Sequence, residues 1–236
     1  MKDIYEPEFV KKLFDQMSAS YERMNYITSF GFSIRWRKQF IQKMTATDEK
    51  VKVIDLLSGL GENWNYLIKR FPNAEFYALD FSDEMIEKSK KKNIEKLDNR
   101  FMILNQNFLE SDLASNEFDI VSCAYGMKTF NEKQLEIIAK EVSRILKPGG
   151  KFSFVEVSKP EQSILHFFYS LYIGKIIPIL GKLFLGNPHD YKMLWIYTEK
   201  FQNAKRVVEI FERENLKAKY DSYFFGCASG ISGVKK

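Results

Sequence analysis

Apolar residues recur at two different spacings along this chain, and the switches between them mark out its elements. Near the start, Phe9, Val10, Leu13, Phe14 and Met17 share one face at i, i+3 and i+4 spacing, which predicts a helix. Ser18-Ala19-Ser20 interrupts it, Tyr21, Met24, Asn25 and Tyr26 follow, and Thr28-Ser29-Phe30-Gly31 reads as a turn. Ile34 to Met44 is a further amphipathic helix carrying Trp36. From Val51 the period shortens. Val51, Val53, Ile54, Leu56 and Leu57 form an apolar run headed by β-branched residues, as a buried parallel strand does. The turn Ser58-Gly59-Leu60-Gly61 follows at once, Trp64, Leu67, Ile68 and Phe71 return to helical spacing, and Pro72-Asn73 stops that helix. Glu75 to Leu79 is a second strand, closed by Asp80.

The same alternation continues. Ser82 is an N-cap with Asp83 and Glu84 in the first turn, and its helix runs to about Leu97. Phe101 to Leu104 is a third strand leading into Asn105-Gln106-Asn107-Phe108, and Ile120 to Ala124 is a fourth, ending in Tyr125-Gly126-Met127-Lys128. Glu132 to Leu146 is helical, Lys147-Pro148-Gly149-Gly150 ends that helix, and Lys151 to Val157 is a fifth strand. Glu199 to Asn215 reads as one helix, and Leu216 to Phe225 and Cys227 to Val234 as two closing strands. Strand-helix alternation of this kind predicts an α/β fold around a seven-stranded, mostly parallel sheet. Ligands of such sheets bind beyond the carboxyl ends of the strands, which places Gly59, Gly61, Asp80, Asn107, Tyr125 and Lys128 around one crevice.

Between Pro160 and Tyr197 the pattern breaks into strongly apolar stretches punctuated by Lys175 and Lys182. This segment is too interrupted to span a bilayer; a lid over an apolar substrate, plain core and an interfacial amphipathic segment all fit it. One domain over residues 1–236 is expected, with a helical cap at 1–48, a cofactor-binding core at 49–159, an apolar lid insert at 160–198 and the closing helix and strands at 199–236.

Composition narrows the choice. The 21 Phe, 12 Tyr and 3 Trp are a surplus that can line an apolar pocket or simply fill a core. The net charge of +5 comes mostly from lysine, as in the run Lys88-Ser89-Lys90-Lys91-Lys92, which on an exposed helix face is ordinarily just solvated. No basic-aromatic module accompanies it, so nucleic acid is not an expected partner. Cys123 and Cys227 give neither a disulfide framework nor a metal spacing, and the charged opening residues lack the apolar centre of a secretory signal. No apolar run approaches the ~18 residues of a spanning helix. A cytoplasmic location is expected, with peripheral contact to a membrane surface as an addition to it. The expected partners are a small apolar or aromatic acceptor and a second copy of the chain in a homodimer.

The opening βαβ unit carries the chemistry. Glycines let the backbone approach a ligand, and an acid ending the second strand accepts hydrogen bonds from ribose hydroxyls. A dinucleotide fingerprint wants a third small residue where Trp64 stands, so the turn favours a nucleoside without a pyrophosphate, such as S-adenosylmethionine. An ordinary βαβ turn with a helix-packing Trp is the plain alternative, and a nicotinamide oxidoreductase is disfavoured by the missing glycine. Only two histidines occur, His166 and His189, both in the apolar segment. His189-Asp190-Tyr191 could orient a substrate hydroxyl or take its proton, or form a polar helix cap after Pro188. Lys128 could stabilise a phenolate at the cleft mouth, or be a solvated loop lysine.

Further motifs carry a resemblance. Phe14-Asp15, Tyr21, Met24-Asn25, Ser29-Phe30-Gly31 and Trp36 form an opening pattern; Leu146-Lys147-Pro148-Gly149-Gly150 and Glu156-Val157-Ser158-Lys159-Pro160 form a second signature; Tyr191, Gly226 and Gly233 complete it. With these the chain resembles class I S-adenosylmethionine-dependent methyltransferases, and more narrowly the ubiquinone/menaquinone biosynthesis C-methyltransferase family. The resemblance covers nearly the whole chain and implies a Rossmann-like methyltransferase sheet with S-adenosyl-L-methionine as cofactor. It implies cofactor contacts at Tyr21, Asp55, Ser58, Gly59, Gly61, Asp80, Phe81, Asn107, Phe108 and Tyr125. The catalytic candidates set beside them are Lys128, His189, Asp190 and Tyr191. The implied reaction is C-methylation of a prenylated hydroquinone such as demethylmenaquinol. O- or N-methylation of a soluble aromatic or natural-product substrate is the alternative, and a cofactor-binding protein without methyl transfer is another. The chain departs from the family where Leu60 replaces a threonine in the turn, where Ala124-Tyr125-Gly126-Met127-Lys128-Thr129 stands for Ser-Phe-Gly-Leu-Arg-Asn, and where Ile231 replaces a histidine.

Overall fold

The computed structural model describes residues 3–19, 21–22, 26, 29, 31–177, 179 and 188–236, with only the backbone described at 173, 174 and 188–191. Seven strands form one sheet in the order β3-β2-β1-β4-β5-β7-β6. They are β1 (Lys52–Leu56), β2 (Glu75–Asp80), β3 (Phe101–Asn105), β4 (Phe118–Ala124), β5 (Leu146–Val157), β6 (Leu216–Tyr223) and β7 (Ala228–Lys235). The first five run parallel, and β7 inserts antiparallel between β5 and β6. The strand order reverses between β1 and β4, which opens a crevice at their carboxyl ends.

The helices before β5 are α1 (Pro7–Met17), α2 (Phe32–Ile41), α3 (Trp64–Arg70), α4 (Asp83–Leu97) and α5 (Glu132–Ile145). After it come α6 (Ser163–Leu171), continued by a π-helical turn at Tyr172–Ile176, α7 (Pro188–Phe201) and α8 (Lys205–Glu212). Their sequences explain their limits. Ser82 accepts the Met85 N–H at 3.2 Å and starts α4, while Asn131 and Gln134 close a reciprocal capping box on α5. Leu135, Ile138, Ala139, Val142 and Ile145 fall on one face of α5 and are buried with Val207, Ile210 and Phe211 of α8 against one side of the sheet. Trp36 and Phe40 of α2, Trp64 and Leu67 of α3 and Leu97 of α4 cover the other side.

Three details differ from the sequence expectation. The strand β5 starts at Leu146, which already pairs with Phe118; Lys147-Pro148-Gly149-Gly150 is an irregularity inside the strand, and regular pairing resumes at Ile120 with Lys151. Pro148 cannot extend a helix and Gly149 takes a φ of 77°, so these four residues loop out. The helix expected over Glu199–Asn215 is two, broken where Gln202 takes a φ of 57°, and the first begins at Pro188; the boundary expected at 198/199 therefore falls inside a helix. The sixth strand stops at Tyr223, because a 3-10 turn at Phe224–Gly226 reverses the chain into β7. Among the described residues no helix is long and apolar enough to cross a membrane.

Candidate active site

The turn after β1 is held in a strained shape from three sides. Leu57, Gly59 and Gly61 have φ of 52°, 54° and 70°. A Cβ on Gly61 would lie 2.5–2.7 Å from the Trp64 indole, which is fully buried and stacked on Phe101 at 4.2 Å between ring centres. The turn thus rides directly on Trp64, and glycine is the residue that fits there. From the side, the Lys92 ammonium donates to the carbonyls of Leu60 and Gly61, both at 3.1 Å. From the front, Asp80 accepts the Gly59 N–H on Oδ2 at 2.8 Å and the Ser82 N–H on Oδ1 at 3.0 Å.

Asp80 is buried, and burial raises its pKa against the pull of the Ser82 and Gly59 N–H groups. Its oxygens retain lone pairs beyond those two bonds. The Ser58 hydroxyl is buried beside it with no hydrogen-bond partner. Both line a narrow crevice of about 40 Å³ together with Phe14, Tyr21, Gly59, Phe81 and Tyr125. An acid with spare acceptor capacity, an unpartnered hydroxyl and aromatic walls are the groups that recognise a ribose and an adenine ring, so the chemistry of the lining matches a nucleoside cofactor, which would have to widen the crevice to enter.

The α1 helix sits over this crevice. Its Asp15 accepts the Ser82 hydroxyl at 2.5 Å, Lys11 pairs with Asp83 at 2.8 Å, and Phe14 contacts Tyr21 edge-on at 5.9 Å. Leu60 packs in the same apolar cluster as Val10, Leu13, Met17 and Tyr197.

A second cavity, of about 270 Å³, lies behind Tyr21 and Tyr125, which line both spaces. Its walls are mostly apolar: Trp36 from α2, Leu165 and Tyr169 from α6, Leu194 from α7, and Phe224 and Cys227 from the turn before β7. Tyr125 is fixed in a left-handed conformation with φ of 65°, its hydroxyl donates to the Ser33 carbonyl at 3.0 Å, and the Arg37 guanidinium lies 4.6 Å over its ring. Burial pushes its phenol far above the usual range, so it stays neutral. The Arg37 guanidinium is itself buried and held by Glu62 at 3.1 Å and Asn63 at 2.8 Å.

One ion pair marks this cavity. Lys128, on a 3-10 turn after β4, lines it and donates from Nζ to Glu156 Oε1 at 2.5 Å. The Glu156 carboxylate is fully buried and also accepts the backbone N–H groups of Lys128 at 3.1 Å and Val157 at 2.8 Å. Lys128 retains two further N–H donors.

Comparison with known proteins now bears on this geometry. The profile of the ubiE/COQ5 methyltransferase family matches residues 1–235. The chain belongs to the ubiE/COQ5 methyltransferase family. A demethylmenaquinone methyltransferase of Lactococcus lactis is 30% identical over 213 residues, covering 89% of this chain and 83% of that protein. One of Listeria monocytogenes is 27% identical over 232 residues, covering 97% and 96%. A SAM-dependent methyltransferase from Thermotoga maritima shares the fold with a TM-score of 0.63 at 15% identity, covering 95% of this chain and 99% of that one. The chain is therefore an S-adenosylmethionine-dependent methyltransferase with the seven-stranded Rossmann-like sheet of that fold.

The sites expected from sequence divide accordingly. Tyr21, Ser58, Gly59, Asp80, Phe81 and Tyr125 converge on the crevice, with Gly61 shaping its turn. Asp55 does not face it. Its side chain points under the turn, where Asn63 Nδ2 donates at 3.0 Å and the Ser122 hydroxyl at 2.7 Å, and burial lifts its pKa to about 7. Phe108 is core, packed with Leu56 and Cys123, and Asn107 caps its own 3-10 turn by accepting the Leu109 N–H. Phe108 thus stays out of the crevice lining, while Asn107 borders a small hollow that shares Leu57, Phe81, Thr129 and Phe130 with the crevice.

Lys128 is not a solvated loop lysine, since it is 5% exposed and paired. Nor is the lysine run only solvated: Lys88 reaches the Ser18 hydroxyl, and Lys92 holds the turn. His166 lies between Ser170 and Glu199, outside both lining sets. His189, Asp190 and Tyr191 open α7, and their side chains lie outside the described residues, as do Met24 and Asn25 entirely. Sequence reasoning passed over Arg37 and met Glu156 only inside a signature, without its ion-pair partner. The signal for Arg37 was its place on the buried face of α2, in step with Ser33, Trp36 and Phe40.

Proposed function

We propose that this methyltransferase C-methylates a prenylated hydroquinone of the demethylmenaquinol type. The observation that carries the reading is the shared wall: Tyr21 and Tyr125 line both the nucleoside crevice and an apolar cavity whose ion pair is Lys128–Glu156. The names of the Lactococcus and Listeria relatives support the acceptor class. S-adenosylmethionine supplies an electrophilic methyl group when bound.

The chain supplies the rest. Asp80 and Ser58 offer acceptor and hydroxyl to the nucleoside, and Tyr21 and Phe14 close over it from the cap. The apolar walls hold an aromatic ring and exclude water. Losing its hydroxyl proton makes such a ring nucleophilic at carbon, and the Lys128 ammonium favours that anion by charge and by its free N–H donors. Glu156 holds the Lys128 ammonium in place. His189 or Asp190, at the start of α7, is the proposed acceptor of that proton. An acceptor of this class supports reading the enzyme as cytoplasmic and working at the membrane surface.

Labelled S-adenosylmethionine with demethylmenaquinol and, separately, with soluble phenols and amines tests this. Methyl incorporation into the quinol carbon is the expected result. Transfer to the soluble acceptors with none to the quinol would overturn it, and cofactor binding without transfer to any acceptor would remove the catalytic reading altogether.

A further inference from the structure

The α6 helix carries two apolar faces separated by a polar stripe of Ser163, His166 and Ser170, and only one of the two faces is partly covered. Leu165 and Tyr169, with Tyr172 of the π-helical turn, line the acceptor cavity, and the Tyr169 hydroxyl donates to the Cys227 carbonyl at 3.1 Å. The opposite stripe, Ile164, Phe167, Phe168 and Leu171, follows i, i+3, i+4 and i+7 spacing and is 77%, 64%, 61% and 38% exposed. Phe225, 69% exposed, extends the apolar surface at the turn to which Tyr169 ties this helix. An exposed apolar stripe of this size, with a second apolar face already committed to the cavity, calls for an apolar medium of its own. We infer that the outward face of α6, with Phe225, docks on the surface of an anionic lipid bilayer and brings the mouth of the cavity to it.

Two observations select a bilayer over another protein. From Gln162 to His189 the sequence carries Lys175 and Lys182 but no Asp or Glu, so the charges inside the apolar segment are all cationic, with Glu161 and Asp190 standing just outside it. Lys175 is exposed. Large exposed apolar side chains beside a lysine suit insertion of ~5–10 Å into the headgroup boundary, with the Lys175 ammonium on a lipid phosphate. The second observation is size. A cavity of about 270 Å³ is at the small end of ligand pockets (~300–1,000 Å³), enough for a ring and its first substituents. A polyprenyl tail must leave it, and α6 separates the cavity from the exposed stripe, so a docked face lets the tail stay in hydrocarbon. This second point rests on the acceptor reading above; the exposed stripe and the charge pattern do not.

Co-sedimentation of the full chain with extruded vesicles tests the inference without any acceptor. Vesicles of phosphatidylglycerol and phosphatidylcholine should carry the protein down, those of phosphatidylcholine alone several-fold less. Phe167→Asp with Phe168→Asp should lower the bound fraction at least tenfold while the affinity for S-adenosylhomocysteine stays unchanged, which also reports that the variant is folded. A Phe168→Trp variant gives an independent reading, since brominated lipid should quench that tryptophan. Failure of the wild-type chain to sediment with either vesicle, or absence of quenching, overturns the inference. So does a dimer, seen by sedimentation velocity, that the double substitution dissociates in a protein that ignores vesicles. Vesicle binding without methylation of demethylmenaquinol would count against the acceptor and leave the docking face standing.

Discussion

Removing the Lys128 charge should destabilise the protein far more than its position on a short turn suggests. Its side chain is 6% exposed and that of Glu156 fully buried, so Lys128→Met leaves a carboxylate in the core with two backbone N–H groups and no counter-charge. Breaking a buried pair from one side costs about 3–5 kcal/mol. For a chain of this size each kcal/mol lowers Tm by ~2–4 °C, so the loss should be roughly 6–20 °C. Thermal unfolding followed by the fluorescence of the buried Trp36 and Trp64 measures that shift, and urea titration the free energy. Glu156→Gln alone strands the ammonium and should also destabilise, whereas Lys128→Met with Glu156→Gln removes both charges and should recover most of the loss. The coupling between the two sites should then reach several kcal/mol. The recovered double variant separates structure from chemistry: with unchanged S-adenosylhomocysteine affinity, its methyl transfer should still fall by at least a hundredfold. A Lys128→Met midpoint equal to the wild-type one would refute the electrostatic argument, and a fully active double variant would refute the role given to Lys128.

Three further outcomes follow from the same geometry. Asp80→Ala deprives the Gly59 and Ser82 N–H groups of their acceptor, so calorimetry should show S-adenosylhomocysteine affinity reduced by about 10-fold or more, corresponding to ~1–3 kcal/mol. Gly61→Ala drives a methyl group into the Trp64 ring at a φ of 70° and should lower Tm measurably, while Leu60→Ala, in the same turn, should mainly loosen α1, seen as faster amide exchange there. The third concerns pH. The Asp55 pKa is raised from 3.8 to about 7 when folded, so its contribution is fully present below about pH 4 and is lost as pH rises through 7. About three units correspond to ~4 kcal/mol. Urea midpoints of the wild-type chain should therefore fall between about pH 4 and 7 and level off above that, and Asp55→Asn should flatten that slope; parallel slopes would count against a neutral Asp55.

The sheet was largely legible because its strands are short apolar runs bounded by turns and caps, signals that lie within a few residues of each other. Val51 to Asp80 and the Ser82 cap needed nothing from the rest of the chain. What stayed hidden depends on contacts distant in sequence. Whether Asp55 faces the crevice or the space beneath the turn is decided by Asn63 and Ser122. Whether Lys128 is solvated is decided by Glu156 on the neighbouring strand. The family resemblance located Glu156 in a signature without its partner, and a residue type alone does not say which side of a strand end is wet. The apolar stretch after Pro160 was recognised as unusual, yet only the structure separates its cavity face from its exposed face.

The position of β7 has a consequence for how the molecule comes to exist. It is the last strand in sequence but an interior one in space, lying between β5 and β6. During synthesis the strands that carry the nucleoside crevice can associate well before β7 emerges, whereas β6 has no neighbour to join until then. Phe224 and Cys227, which wall the acceptor cavity, stand immediately before β7. The nascent chain thus has all the strands of its donor crevice early and completes the wall of its acceptor cavity only later. A ribosome stalled or a protease acting within the final dozen residues would leave two edge strands unsatisfied rather than one. Such truncated chains should aggregate through those edges rather than persist as partly active enzyme.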